Sequence, residues 1–521
     1  MKRSDIQPEY DVVIAGGGIT GAGIFNLAVK KGYKALLVEA NDFAWGTSGR
    51  SSKMVHGGLR YLKQGRFLMT RAAVKERERL LKRYPGLVTP LPFIMPVFDH
   101  YGPSRSAMTL GLSLYSLMAG KKQHRTYTPD QAIERIPFVR QANLVSAVGF
   151  QDGQVDDARL VLRLIFDACR TGGNALNYMQ LTGVERNRSR DVAGVDLTDK
   201  ITGKSITVKT KAVINATGAW AEKLQPSPVK GYHIRPLRGS HLVFPGRRLP
   251  IDRVISFIHP RDLRPVFLFP WEGSVFLGTT DVDHDPDDRS EPVITRDETD
   301  YLMEGLAFIL PGTALSLDDC TASMAGVRPV LSRKKKAASK ESREHVIWAD
   351  RGLITATGGK LTTFRLLAAA ALKKALPRLP DPGPSQPESR GDDHRRPLSA
   401  QSGNALSNGL KTRIFGRYGT TAGQMILNRR DDDGFQTIGE TSGVWAELCH
   451  AAEHESVYHL SDLMLRRTRI GLFLPDGGRH LLDRVESLCR PFLPWDTKKW
   501  TAERKKYIQV WQRFYSPPKT G

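Results

Sequence analysis

The run Gly16-Gly17-Gly18-Ile19-Thr20-Gly21 presents glycines at G-x-G-x-x-G spacing. It follows an apolar stretch at residues 11–15 (DVVIA) and opens residues 21–31, which have the composition of a helix. Each glycine has a mechanical task there. Gly16 permits the tight turn, Gly18 lets backbone approach a pyrophosphate, and Gly21 allows helix and strand to pack closely. The diphosphate then sits at a helix N-terminus, where free amides and the helix dipole favour an anion. A second apolar stretch at residues 34–39 (KALLVE) ends in Glu39, a carboxylate placed to accept from ribose hydroxyls. Its acidity disfavours a 2′-phosphate, hence NADP. Strand, helix, strand and terminal acid together predict a dinucleotide-binding β-α-β unit.

The elements that must position this chemistry come from 521 residues, enough for two or three domains. Residues 68–83 and 157–170 read as helices, and residues 181–218 as short strands ending in AVINATG. HLVF (241–244), VFLF (266–269) and VFLGTTD (275–281) read as an antiparallel sheet, followed by a helix over 295–309. Residues 377–403 are rich in Pro, Gly, Ser and charge and read as a linker; residues 404–515 carry helical patterns. The fold class expected is α/β. A doubly wound, Rossmann-like domain would comprise residues 8–95, 150–225 and 320–376. An antiparallel-sheet substrate domain would comprise 96–149 and 226–319, followed by the linker and a helical C-terminal domain.

Lys and Arg number 77 against 54 Asp and Glu, a net charge of +23. Such a surface attracts phosphates in general. Four cysteines (Cys169, Cys320, Cys449, Cys489) form no CxxC pair, so neither a zinc site nor a disulfide framework is expected, and a reducing cytosol fits. No h-region precedes the first strand, so no signal peptide is expected. The most apolar stretch, residues 107–119, is too short to span a bilayer.

Beyond Glu39 the chain carries DFAWGTSGRSSKMVHGGLRYL (42–62), AVINATGAW (212–220), RGSH (238–241), FLGTTDV (276–282), GVRP (326–329) and GGKLTT (358–363). In this order and spacing the segments resemble the FAD-dependent glycerol-3-phosphate dehydrogenases over residues 8–376. SDLMLRRTRIGLFL (461–474) resembles that family's helical tail more loosely. The resemblance implies FAD as cofactor and oxidation of sn-glycerol 3-phosphate to dihydroxyacetone phosphate, with hydride passing from C2 to flavin N5. Electrons then go to a membrane quinone, or to oxygen in related oxidases.

Such chemistry needs a phosphate clamp, a base for the C2 hydroxyl and an oriented flavin. The resemblance makes Arg328 a substrate-binding arginine, and guanidinium suits a bidentate grip on phosphate. Arg60 and Tyr61, after Gly57-Gly58, line the substrate pocket by the same resemblance. His56 and His241 both suit proton abstraction, and sequence does not choose between them. Lys360 opens a helix whose N-terminus would face the flavin pyrimidine edge. Thr47, Ser48, Ser52 and Lys53 offer hydroxyls and a charge to pyrophosphate and ring. Thr217 and Gly218 suit the adenine side, and Gly358, Gly359, Leu361 and Thr362 the ring side. The basic run at 332–343 departs from the mixed charge expected there.

Delivery to quinone requires contact with a membrane. The overall charge, residues 107–119 and the series Lys498-Lys499-Trp500, Lys505-Lys506-Tyr507 and Trp511 suit an anionic interface. The expected location is therefore cytoplasmic, peripheral on the inner face of the cell membrane, and the oligomeric expectation is a homodimer. An FAD-dependent amine or amino-acid oxidase of the same fold is the alternative reading. Nucleic acid is not an expected partner, since charge alone speaks for it.

Overall fold

A computed structural model describes residues 3–518 apart from 59–64, 121–123, 225–232, 286–287, 289, 333–344, 386–405 and 429–432. Arg60 and Tyr61, the basic run at 333–343 and most of the expected linker lie outside the described residues.

Strands Val12–Ala15 and Ala35–Val38 are buried throughout and pair in parallel, Ile14 opposite Leu37. Unbroken apolar runs are what strands covered on both faces require. Helix Ile19–Lys30 joins them, so the predicted β-α-β unit is present within a residue or two at each end. The sheet extends to six strands in the order Val346–Asp350, Leu353–Thr357, Val213–Asn215, Val12–Ala15, Ala35–Val38, Asn174–Leu176. All neighbours are parallel except the edge pair Val346–Asp350 and Leu353–Thr357. Alternation sends Val12 and Ile14 to one face, against helices Ile19–Lys30, Asp157–Cys169 and Phe364–Ala375. Val13 and Ala15 meet the other face, where Met179–Arg186, Val192–Asp199 and Ser205–Lys209 form a small antiparallel sheet.

A ten-stranded, almost wholly antiparallel sheet forms the second layer. One of its two longest pairings joins His233–Pro245 to Ala322–Ser332, with Gly239 opposite Gly326 and Leu237 opposite Arg328. This sheet also takes in Met54–Val55, Val88–Phe98 and Leu144–Val155, so it claims stretches around 54–55, 88–95, 150–155 and 322–332 that sequence gave to the first domain. Among them Val88–Phe98 contains Pro90, Pro92 and Pro96. They are tolerated because its second neighbour, Val254–Ile258, meets it only at Phe93 and Ile94.

Beyond residue 405 the described chain is helical, ending in Thr497–Phe514 with Asp496 as N-cap. Trp500, Tyr507 and Trp511 are buried in a cluster with Trp271, Phe276 and Met464. This corrects the membrane reading of that helix. Spacings of seven and four place its aromatics on the core face, while Lys498, Lys499, Lys505 and Lys506 face solvent. Among the described residues no helix is long and apolar enough to cross a membrane. Helix Arg105–Ala119, N-capped by Ser104, leaves Leu110 65% and Leu117 78% exposed.

Candidate flavin and substrate site

The carboxyl ends of the central parallel strands open into a cavity of about 450 Å³, the position where doubly wound sheets bind their ligands. Gly16, Gly18, Glu39, Thr47, Ser48, Thr217, Gly218, Gly358, Gly359 and Leu361 all line it. Gly16 has φ +111°, and a Cβ there would meet Ala216 O at 2.5 Å. Gly21 lies behind the turn, where a Cβ would fall 1.8 Å from Gly16 O, so it serves packing and does not line the cavity. Glu39 Oε2 accepts from the Gly17 amide at 2.7 Å and Oε1 from Asn41 at 2.8 Å. Burial pushes this carboxyl up, and the two amides oppose the shift.

Residues 42–53 fold over the helix start. Ser48 Oγ accepts from the Ile19 amide at 2.9 Å, and Thr47 Oγ1 donates to Val327 O. Ser52 and Lys53 leave the cavity. Lys53, at φ +56°, turns its side chain inward; Nζ lies fully buried, 2.9 Å from Asp157 Oδ2 and 3.1 Å from Gly49 O. Its ammonium is thus spent on an internal carboxylate and not on a pyrophosphate. Burial brings the Lys53 amine down to about 7, against the pull of Asp157.

Ser52 Oγ lies 2.9 Å from His241 Nε2, joining the loop to the second sheet. His241 is buried, and its Nδ1 is enclosed without a hydrogen-bond partner among the described residues. Burial, then the charges of Lys53 and Arg328, pushes this imidazole down to about 3. His56 is solvent-exposed, and its carbonyl accepts from buried Thr362 Oγ1 at 3.3 Å. Thr362 thus reaches the site through backbone, not through the cavity wall. Arg328 is held by Thr279 Oγ1 at 2.9 Å, Thr280 O at 3.1 Å and Asp281 at 3.4 Å, with about a quarter of its side chain exposed. Its neighbour Pro329 lines the cavity. Lys360, between two lining residues, sets its Nζ 3.4 Å from Met69 Sδ at the start of helix Phe67–Arg83.

Sequence reasoning passed over Trp45, Trp220, Lys200 and Lys223, all of which line the cavity. Trp45 and Trp220 stand 6.0 Å apart between ring centroids, and both lie inside segments that carried the resemblance. A larger cavity of about 660 Å³ lies apart, around His450, His454 and the end of helix Asp157–Cys169, and contains none of the predicted residues.

A glycine turn beside Glu39 fits the adenosine diphosphate half of FAD. The remaining cavity reaches Ser51 and Pro329, the chain neighbours of Ser52 and Arg328. The class so defined is that of the FAD-dependent oxidoreductases. A model of the FAD-dependent oxidoreductase family matches residues 11–365, and one of the C-terminal domain of alpha-glycerophosphate oxidase matches residues 390–500. An aerobic glycerol-3-phosphate dehydrogenase of Staphylococcus epidermidis is 30% identical over 492 residues, covering 90% of this chain and 88% of its own. One from Staphylococcus aureus is 29% identical over the same shares. The glycerol-3-phosphate dehydrogenase of Bacillus halodurans complexed with FAD superposes with TM-score 0.75 at 25% identity, over 97% of this chain and 95% of that one. L-alpha-glycerophosphate oxidase from Mycoplasma pneumoniae with FAD bound shares the fold, at TM-score 0.59 and 18% identity over 74% of this chain and 98% of its own. The chain belongs to the FAD-dependent glycerol-3-phosphate dehydrogenase family, and FAD is its cofactor.

Proposed function

We propose that the enzyme oxidises sn-glycerol 3-phosphate to dihydroxyacetone phosphate and delivers the electrons to a membrane quinone. The observation that carries the substrate reading is Arg328, held on three sides and partly exposed, beside a residue of the flavin cavity. A pre-oriented guanidinium suits a phosphate dianion, and Lys360, next to Gly359 and Leu361, adds a second cation. Bound FAD supplies a two-electron centre that accepts hydride. Arg60 and Tyr61 keep the pocket role that the family resemblance gives them.

His56 takes the C2 hydroxyl proton. Its ring faces solvent, whereas both nitrogens of His241 are enclosed. His241, neutral throughout the physiological range, orients Ser52 and the loop. Anaerobic bleaching of the visible flavin band by glycerol 3-phosphate, compared with proline, sarcosine and lactate, tests the substrate. Bleaching by an amine and not by glycerol 3-phosphate would overturn the reading in favour of an amine oxidase.

For the quinone, support comes from two helices packed together, Phe67–Arg83 and Arg105–Ala119. They expose Phe67, Leu68, Leu110 and Leu117, and Met69 of the first touches Lys360. An apolar surface rooted beside the substrate site, on a protein of net charge +23, suits peripheral contact with anionic lipid. Flotation with phosphatidylglycerol vesicles checks it. Binding at low salt that is abolished by Leu117→Asp supports the reading, and retention of the parental protein in solution refutes it.

A further inference from the structure

Residues 42–53 meet three arginines that the reaction above does not use. Arg467 grips Asp42 with two parallel bonds, Nη1 to Oδ2 at 2.7 Å and Nη2 to Oδ1 at 2.9 Å. Arg466 Nε adds a third at 2.5 Å. At the other end of the loop, Arg469 Nη2 donates to Gly49 O at 2.8 Å and to Asp157 Oδ1 at 2.5 Å. The second oxygen of Asp157 receives the Ser51 amide at 2.8 Å, the Ser51 hydroxyl at 2.7 Å and Lys53 Nζ at 2.9 Å.

The three arginines come from the C-terminal helical region. Leu463–Arg467 is wound as a π-helix, and Arg469 follows in the left-handed conformation at φ +68°. A π turn holds an extra residue, a local departure that recurs at functional sites. Here it accompanies two consecutive arginines on one carboxylate. Asp42, Arg467 and Asp157 are wholly buried, and Arg466 and Arg469 nearly so. Charges this deep persist only where they are paired and hydrogen-bonded, so arginines and loop depend on each other. The loop between the two grips supplies Trp45, Thr47 and Ser48 to the cavity and Ser52 to His241.

We infer that Arg466, Arg467 and Arg469 are positioning residues of the flavin site, clamping residues 42–53 from the C-terminal region. The inference rests on the reading of the cavity as the FAD site and of His241 as its orienting partner. It differs from a mere interdomain tie, and a control separates the two. Arg413 pairs with Glu272 at 2.6 Å between the C-terminal region and the second sheet, and it makes no hydrogen bond or ion pair with the loop.

The experiment compares full-length Arg467→Lys, Arg469→Lys and Arg413→Met with the parental holoprotein. Both lysine variants are expected to bind FAD at least tenfold more weakly, to shift the visible flavin band, and to lower kcat more than they raise KM. Arg413→Met is expected to lower the melting temperature and keep the parental FAD affinity and spectrum. Parental FAD affinity and spectrum in both lysine variants would overturn the clamp, as would equal flavin loss in Arg413→Met. Should a lysine variant fail to fold, hydrogen exchange on the parental holoprotein decides. Amides 43–53 must be protected to the degree of 463–473, and free exchange of the loop alone refutes the inference. If glycerol 3-phosphate leaves the parental flavin oxidised, the substrate proposal fails while the FAD-affinity comparison still judges the clamp.

Discussion

The two ends of the flavin cavity are built on opposite principles. The nucleotide end is backbone: a turn at Gly16, a glycine contact at Gly21 too close for any side chain, and one acid fixed by two neighbouring amides. All of it arises within a short stretch of chain. Around the other end, behind the cavity wall, the frame is made of side chains delivered from far apart, Ser52 to His241, Thr362 to His56, Arg469 to Gly49. The first is intolerant of added volume, the second of lost charge or hydrogen bonds.

The comparison can be broken most severely at the backbone end. Gly21→Val must displace Gly16, and overpacking of that kind costs about 1–3 kcal/mol or more. The expected product carries no flavin, read from the absorbance ratio at 450 and 280 nm; a yellow, stable variant would show that the turn is more elastic than its geometry. Next comes the side-chain end. His56→Gln should lower kcat by about 10²–10⁴ with flavin retained, the range for removal of a general base. His241→Gln should cost about tenfold, since a neutral hydrogen bond is worth roughly 0.5–1.5 kcal/mol. The reverse ranking by stopped-flow flavin reduction would exchange the two roles. Arg328→Ala should keep FAD and raise KM for glycerol 3-phosphate by 10–100-fold, from about 1.5–3 kcal/mol for charged hydrogen bonds. Loss of the flavin itself would make that arginine structural.

A smaller effect appears in acid. Burial works to raise Asp42 and Asp156, yet Arg466 and Arg467 hold the first and Arg469 and Arg417 the second below their ordinary values, Asp156 at about 2. Depressed carboxyls contribute stability that is fully present above their unfolded values, near 4, and is lost as pH falls through the folded ones. Flavin release and loss of near-UV circular dichroism should therefore set in between about pH 4 and pH 2. Salt should shift that onset little, because the pairs are buried. Smallest of all, Lys505→Ala with Lys506→Ala should change stability by less than about 0.5 kcal/mol, as exposed substitutions do.

What could be read from residues alone follows the same divide. The glycine turn, the paired strands and Glu39 announce themselves because their chemistry is local and their periodicity clean. The segments at 212–220, 326–329 and 358–363, far apart in the chain, each contribute residues to one cavity. Ser52 and Lys53 read from sequence as a hydroxyl and a charge for pyrophosphate and ring; only the left-handed backbone at Lys53 and the distant Asp157 explain its inward course. In helix Thr497–Phe514 the interleaving of Lys with aromatics suggested a membrane face, while the helical spacing of Trp500, Tyr507 and Trp511 held the truer signal. Strand Val88–Phe98 is not assigned from sequence, and its three prolines fit only because one side has so short a neighbour.

The grip of Arg467 on Asp42 spans 425 residues of sequence. During synthesis the glycine turn emerges long before the arginines. A chain still lacking its C-terminal region carries Asp42 and Asp157 with none of these arginines beside them, and Lys53 is the cation that stays bonded to Asp157. The order of emergence from the ribosome thus delays completion of the flavin loop until residues 466–469 have been made.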